Sequence, residues 1–225
     1  MNRSCHVLKL FRGCLVLPLL VLLTVGAEVS KAAKVRQFDV GLRAGLSLAS
    51  LGGENGDMYE NSRTGLLGGG FVRYRVSNLV SLETDVSYLR KGGKGEMLVA
   101  DYKTNEITTA ENVLVLNRVV VTPALVFTLP VKGQIRPSLL GGVSVAFAGS
   151  SQIEVEGFEP VDISEYTKST IVGYVVGVEL AYHLESTRVF IDLRYSRDTG
   201  DFFEPESFEW ISQIMSIGFG VGFEI

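Results

Sequence analysis

The sequence predicts an all-β chain, an eight-stranded antiparallel up-and-down transmembrane β-barrel over residues 38–225. From Phe38 onward, apolar and polar residues alternate with a period of two through eight stretches, and that period sends successive side chains to opposite faces of a strand. One face is apolar throughout, whereas the other carries glycine and charge. The connections alternate between long polar loops and very short turns, which is the pattern of a barrel with long outer loops and short periplasmic turns.

The first stretch, Phe38 to Leu48, points Phe38, Val40, Leu42, Ala44, Leu46 and Leu48 one way and Asp39, Gly41, Arg43, Gly45 and Ser47 the other. Thr64 to Val76 and Leu79 to Leu89 follow, separated by the turn pair Ser77-Asn78. The fourth lies within Val113 to Leu129 and the fifth within Gln134 to Ala148, joined by Pro130-Val131-Lys132-Gly133. Ile171 to Leu184 and Arg188 to Ser196 flank Glu185-Ser186-Thr187. In the last stretch, Met215, Ile217, Phe219, Val221, Phe223 and Ile225 alternate with Ser216, Gly218, Gly220, Gly222 and Glu224. Each stretch meets the roughly 9–11 residues that a tilted strand needs to cross a bilayer. The loops expected between pairs are residues 49–63, 90–112, 149–170 and 197–210.

Val113 to Val131 is apolar enough to suggest a helix, but its valines, Arg118 and Pro123 favour a strand. On the apolar face, Phe38, Tyr74, Phe127, Tyr182 and Phe223 fall at the turn end, and Tyr88, Phe147, Tyr174 and Tyr195 toward the loop end. Two aromatic girdles mark two membrane interfaces. A soluble barrel would reverse the faces.

Residues 1–27 have the makings of a cleaved secretory signal peptide: Arg3, Lys9 and Arg12 precede an apolar core, Cys14 to Val25, and Val25-Gly26-Ala27 offers small residues for cleavage. The core is shorter than the ~20 residues of a spanning helix. Residues 28–37 then form a leader, and Ser30-Lys31-Ala32 offers a second cleavage point. Cys5 and Cys14 would leave with the signal, excluding disulfides and cysteine-ligated metals. Eighteen basic residues would remain against 25 acidic ones, which makes nucleic acid an unsuitable partner.

Taking the polar face as the lumen, the inward charges are Arg43, Arg73, Arg75, Arg118, Arg136 and Arg194 against Asp39, Glu83, Asp85, Glu179 and Asp192. Every cation here is arginine, and the lysines are expected in loops, turns or the leader. Eight strands leave a lumen about wide enough for side chains to fill, and the rigid guanidinium fork suits fixed carboxylate pairing in a narrow space. The expected result is a salt-bridged plug.

Little in the chain suggests catalysis. The single histidine of the processed chain, His183, lies by the short turn, with Ser186 in that turn and Ser196 at the opposite end. A serine nucleophile needs its base within hydrogen-bond reach. No catalytic residue, cofactor site or metal site is assigned. The acidic segments Gly52-Gly53-Glu54-Asn55-Gly56-Asp57 and Asp198, Asp201, Glu204, Glu206, Glu209 lack the spacing of a calcium loop and are expected to be solvated. Gly65 and Gly68-Gly69-Gly70 precede no helix and so make no phosphate cradle; they are expected to permit strand coiling. Met97, Leu98, Val99, Tyr102, Ile153, Val155, Phe158 and Ile163 put apolar side chains in the outer loops, suggesting a binding surface or mutual packing.

The chain resembles the outer-membrane protein β-barrel domain family, also called PorT-like or porin family, over residues 36–225. The resemblance is carried by Phe38-Asp-Val-Gly-Leu-Arg-Ala-Gly, Leu116-Asn-Arg-Val-Val-Val-Thr-Pro-Ala-Leu, Arg136-Pro-Ser-Leu-Leu-Gly-Gly, Gly177-Val-Glu-Leu-Ala-Tyr and Asp192-Leu-Arg-Tyr-Ser. It implies a barrel in the bacterial outer membrane, inserted among outer-membrane lipids by the assembly machinery, with both termini periplasmic and no catalytic residues. One branch takes part in protein secretion and gliding assemblies, so an envelope or secretion protein is an expected partner. The chain ends on Ile225 where many such barrels end on an aromatic, although Phe219 and Phe223 keep the alternation. The expected function is a non-enzymatic envelope component or assembly partner acting through its loops. The alternatives are a narrow channel for small solutes or ions and a lipid-modifying enzyme using His183.

Overall fold

The computed structural model describes residues 37–52, 61–101, 106–155, 157–200 and 211–225. The expected signal segment, Glu54 to Asp57, Tyr102, and Asp201 to Glu209 lie outside the described residues. The strands are β1 (Phe38–Gly52), β2 (Asn61–Arg75), β3 (Val80–Asp101), β4 (Glu106–Thr128), β5 (Ile135–Val155), the two-residue β6 (Val161–Asp162), β7 (Thr170–Leu184), β8 (Thr187–Asp198) and β9 (Ile211–Glu224). Neighbours pair antiparallel in the order β4-β3-β2-β1-β9-β8-β7-β5, and a further β4–β5 ladder closes the ring. Eight strands form the wall, and β6 adds only to the tip of β5.

The strand faces follow the alternation. Leu42, Leu66 and Met215 are 67%, 69% and 61% exposed, as expected of side chains that meet lipid, while Arg43, Glu83 and Asp192 between such positions are buried. Aromatic neighbours stack across the outer surface at both ends. The Phe38 and Tyr74 rings are 5.1 Å apart at the turn end, and Tyr174 and Tyr195 are 6.4 Å apart at the loop end.

Several strands run further than the alternation suggested. β3 and β4 remain paired from Arg90↔Asn117 to Asp101↔Glu106, so most of the segment expected as a loop at 90–112 is a two-stranded ribbon. The ladder continues because each backbone group out there still finds its cross-strand partner. β8 likewise includes Arg197 and Asp198. Pro123 lies inside β4, paired with Thr84 on β3; the β4–β5 ladder has no partners for Thr122 and Pro123, as proline has no N–H to give.

The turns are short. Leu184 pairs directly with Thr187 around Glu185-Ser186, and Glu185 takes a positive φ of 31°. The Ser77 Oγ accepts from the backbone N–H of Val80 at 3.1 Å, fixing the β2–β3 turn. Both ends of the barrel chain sit at the turn end, where Ile225 N–H donates to the Phe38 carbonyl at 2.8 Å.

Candidate functional site in the lumen

The turn-side half of the lumen is filled by one unbroken chain of ion pairs. Arg188 on β8 donates through Nε to Asp39 at 2.8 Å and through Nη1 to Glu179 at 2.5 Å. Glu179 on β7 is held by Arg73 of β2 through both carboxylate oxygens, at 3.0 and 2.7 Å. Arg73 also donates to its cross-strand neighbour Glu83, at 2.8 Å from Nε. Glu83 takes Arg194 at 3.1 Å, which reaches Asp192 at 3.4 Å. Asp192 pairs with Arg43 Nε at 2.8 Å, and Arg43 ends the chain 3.6 Å from Asp85. Acid and base alternate strictly along Asp39, Arg188, Glu179, Arg73, Glu83, Arg194, Asp192, Arg43 and Asp85, and all are buried.

Packing makes room for these large side chains. Phe71 and Phe190 meet edge to face at 5.5 Å, and the Arg188 guanidinium lies 4.5 Å from the Phe190 ring centre and 5.4 Å from that of Phe71. Both rings offer it a negative face. The neighbouring strand β9 is stripped of inward side chains here: a Cβ on Gly220 would lie 2.2 Å from Phe190 Cζ, and one on Gly222 2.3 Å from Asp39 Oδ1. The inward glycines of β9 are therefore clearance for the network.

Eight of the eleven charges expected inside belong to this chain; the other three do not. Arg136 is exposed, because it is the second residue of β5 and its inward direction opens onto solvent at the turn-end rim. Arg75 pairs with Glu224 at 2.9 Å, with both partly exposed. Arg118 is fully buried but lies toward the loop end, where Nη1 donates to the Lys168 carbonyl at 3.0 Å. Arg188, the first residue of the stretch expected from Arg188 to Ser196, shares the parity of Asp192 and Arg194 but was not among the eleven.

The expectation that lysines stay out of the lumen is corrected by Lys91. It is 1% exposed and 2.5 Å from Asp198. Both had been assigned to loops, and both come inside because β3 and β8 continue past the expected ends. Asp198 therefore does not belong to a solvated acidic cluster.

Above the ionic chain lies a cavity of about 60 Å³. Its hydroxyls are those of Ser87, Thr122, Ser144, Ser196 and Ser216, its floor carries Arg43, Asp85 and Arg194, and its far end carries Lys91 and Asp198. Leu67, Leu89, Val120, Ala146 and Ile214 line its loop side, and the same residues form an apolar cluster with Leu114, Leu116, Ile171 and Ile163.

Ile163 comes from outside the wall, in a strap that follows β6. Ile163 N–H donates to the Ser151 carbonyl at 2.9 Å, Ser151 N–H to Ser164 Oγ at 3.1 Å, and the Ser151 and Thr167 hydroxyls are 3.1 Å apart. Of the apolar loop residues, Ile163 and Ile153 pack on the cluster, whereas Phe158 is exposed.

His183 lies at the turn end, with Nδ1 3.6 Å from Glu224 Oε1. Among the described residues no three His, Cys, Asp or Glu side chains are grouped to hold a metal ion.

The family model for the outer membrane protein beta-barrel domain matches residues 17–224. The chain belongs to that family. It is therefore an integral β-barrel of the bacterial outer membrane, with its apolar face against the membrane lipid. Among solved structures, this outer-membrane barrel is similar to neisserial surface protein A, at 15% identity and a TM-score of 0.51, over 84% of this chain and 97% of that one. Ail of Yersinia pestis, in complex with the heparin analogue sucrose octasulfate, aligns at 10% identity and a TM-score of 0.42, over 83% and 98% of the two chains. OprG of Pseudomonas aeruginosa aligns at 11% identity and a TM-score of 0.42, over 84% and 97%. No curated protein matches the chain.

Proposed function

We propose that this barrel is a non-enzymatic envelope component that engages another envelope or secretion protein through its outward loops, its lumen closed by the arginine–carboxylate chain. Residues 1–27 serve as a cleaved signal, the assembly machinery inserts the barrel, and both termini face the periplasm. The observation that carries this reading is the alternating chain of nine charged side chains, drawn from β1, β2, β3, β7 and β8. A buried pair is held rigidly because separating it exposes each charge to a costly low-dielectric site. The β3–β4 ribbon, continuing to Asp101↔Glu106, supplies an outward surface.

Planar-bilayer recording of the purified barrel tests the closed lumen, and conductance on the scale of a general porin would overturn it. Crosslinking in native outer membranes followed by mass spectrometry tests the partner. A stoichiometric envelope protein lost on deletion of residues 96–111 is the expected result.

A narrow path for small solutes is the second reading, favoured by the polar cavity above the chain. Liposome swelling with small sugars distinguishes the two.

A further inference from the structure

The hydroxyl-lined cavity and the strap beside it share a boundary. Leu67, Leu89, Val120, Ala146 and Ile214 line the cavity on its loop side and pack in the cluster that receives Ile163. The strap is the least embedded of the described elements touching this boundary. β6 is only two residues long and pairs only with Gln152 and Ile153. The strap's remaining attachments are hydroxyl and backbone hydrogen bonds to Ser151 and the Arg118 bond to the Lys168 carbonyl, while an Asx-type bond from Ser164 N–H to Asp162 Oδ1 at 2.8 Å braces it internally. The wall strands, by contrast, are fixed by ladders on both sides.

We propose that the strap Val161–Lys168 is a lid, and that the cavity beneath it takes small neutral polar solutes from the loop side. The volume admits a few water molecules, so the fitting class is water or a molecule of a few polar heavy atoms, such as a short polyol. The hydroxyls of Ser87, Thr122, Ser144 and Ser196 have no protein partner among the described residues. The buried Asp85 Oδ2 and Arg194 Nε, on residues of the floor, accept or donate no hydrogen bond among the described residues. Both donors and acceptors are thus open, which suits a hydroxyl-bearing guest.

Charge selects against ions. Among the described residues the buried interior holds Arg43, Arg73, Lys91, Arg118, Arg188 and Arg194 against Asp39, Glu83, Asp85, Glu179, Asp192 and Asp198, six of each sign. Any bound ion would add a charge without a counter-charge in a low-dielectric space. A lid is compatible with either a closed or a conducting floor, so its failure would not bear on the plug.

The test uses the full barrel in nanodiscs, with Cys5 and Cys14 replaced by serine and Ser144→Cys as a reporter inside the cavity. Three methanethiosulfonates are compared: the neutral hydroxyethyl, the anionic sulfonatoethyl and the cationic trimethylammonioethyl reagent. The expected result is slow labelling by the neutral reagent, accelerated at least tenfold by Ile163→Gly and unchanged by Ile163→Leu, with both charged reagents slower than the neutral one. Asp162→Asn combined with Ser164→Ala loosens the strap without touching the apolar cluster and should accelerate labelling at least threefold. Heat-modified electrophoretic mobility verifies that each variant is folded. Rates within a factor of two across all strap variants would overturn the lid, and charged reagents entering as fast as the neutral one would overturn the preference for neutral solutes.

Discussion

Arg73 on β2 and Glu179 on β7 stand on opposite walls of the barrel and meet in a two-pronged pair at 3.0 and 2.7 Å. Three strands lie between β2 and β7 in either direction around the ring, so the pair is a strut across the full width of the lumen.

Removing one end of that strut leaves the other as a buried charge short of a partner, which costs about 3–5 kcal/mol. Arg73→Met and Glu179→Gln should each lower the unfolding free energy on that scale in guanidinium titrations of the detergent-solubilised barrel. The double variant should lose less than the sum, with a coupling of roughly 0.5–3 kcal/mol. Additive losses would mean that the two side chains are adjacent without supporting each other.

Two glycines on opposite faces give opposite expectations. A Cβ at Gly220 meets the Phe190 ring at 2.2 Å, whereas one at Gly68 meets nothing within 4 Å. Gly220→Ala should cost about 1–3 kcal/mol by overpacking. Gly68→Ala, at a lipid-facing position, should be neutral or stabilise by up to about 1 kcal/mol through reduced chain entropy. Equal effects on the urea midpoint would argue against a side-chain-filled lumen.

Glu185 holds a left-handed backbone in a two-residue hairpin turn. Asparagine adopts that conformation more readily than glutamate does, so Glu185→Asn should stabilise the barrel by about 0.5–1 kcal/mol and slow its unfolding. Glu185→Val should move stability the other way.

Asp162 brings pH into the strap. Hydrogen bonds from the Ser164 hydroxyl and then from the Ser164 backbone N–H hold its carboxyl below the usual aspartate range. A depressed carboxyl contributes stability above its unfolded value, about 3.9, and loses it as pH falls through the folded value. Strap closure, read by labelling of Ser144→Cys with a pH-tolerant thiol reagent, should therefore weaken below about pH 4. In Asp162→Asn that dependence should vanish.

The barrel was legible because lipid demands one uniform face: Leu42, Leu66, Val72 and Tyr88 could be assigned outward from alternation alone, and each is exposed. The polar face was legible as a list of charges, since parity places Arg43 and Asp192 inside without any knowledge of partners. What parity could not give was where inward ends. Arg136 and Arg188 both lie one or two residues from a turn, yet the first faces solvent and the second is fully buried. That difference depends on how the tilted strands stagger around the ring. Lys91 and Asp198 were missed for a related reason: their strands run beyond the length a bilayer requires. Signals for both existed, a lysine and an aspartate continuing the inward register, but a length rule cut them off. The role of the β9 glycines was hidden because clearance belongs to the neighbour's side chain, here Phe190 and Asp39, which a single strand does not display.

The nine-residue charge chain also constrains the order in which the molecule can fold. Arg73–Glu83 and Glu179–Arg188 lie within single hairpins, at sequence separations of 10 and 9, but Asp39–Arg188, Arg43–Asp192, Arg73–Glu179 and Glu83–Arg194 span 106 to 149 residues. Each hairpin arrives with its charges only partly matched, and the remainder are satisfied when the first and last strands zip together. An open or misregistered intermediate would carry unmatched charges into the hydrocarbon, which penalises it more than the loss of its ladder bonds alone. Closure is thus made an all-or-none event, with the interior acting as a keyed fit that only the correct strand register completes.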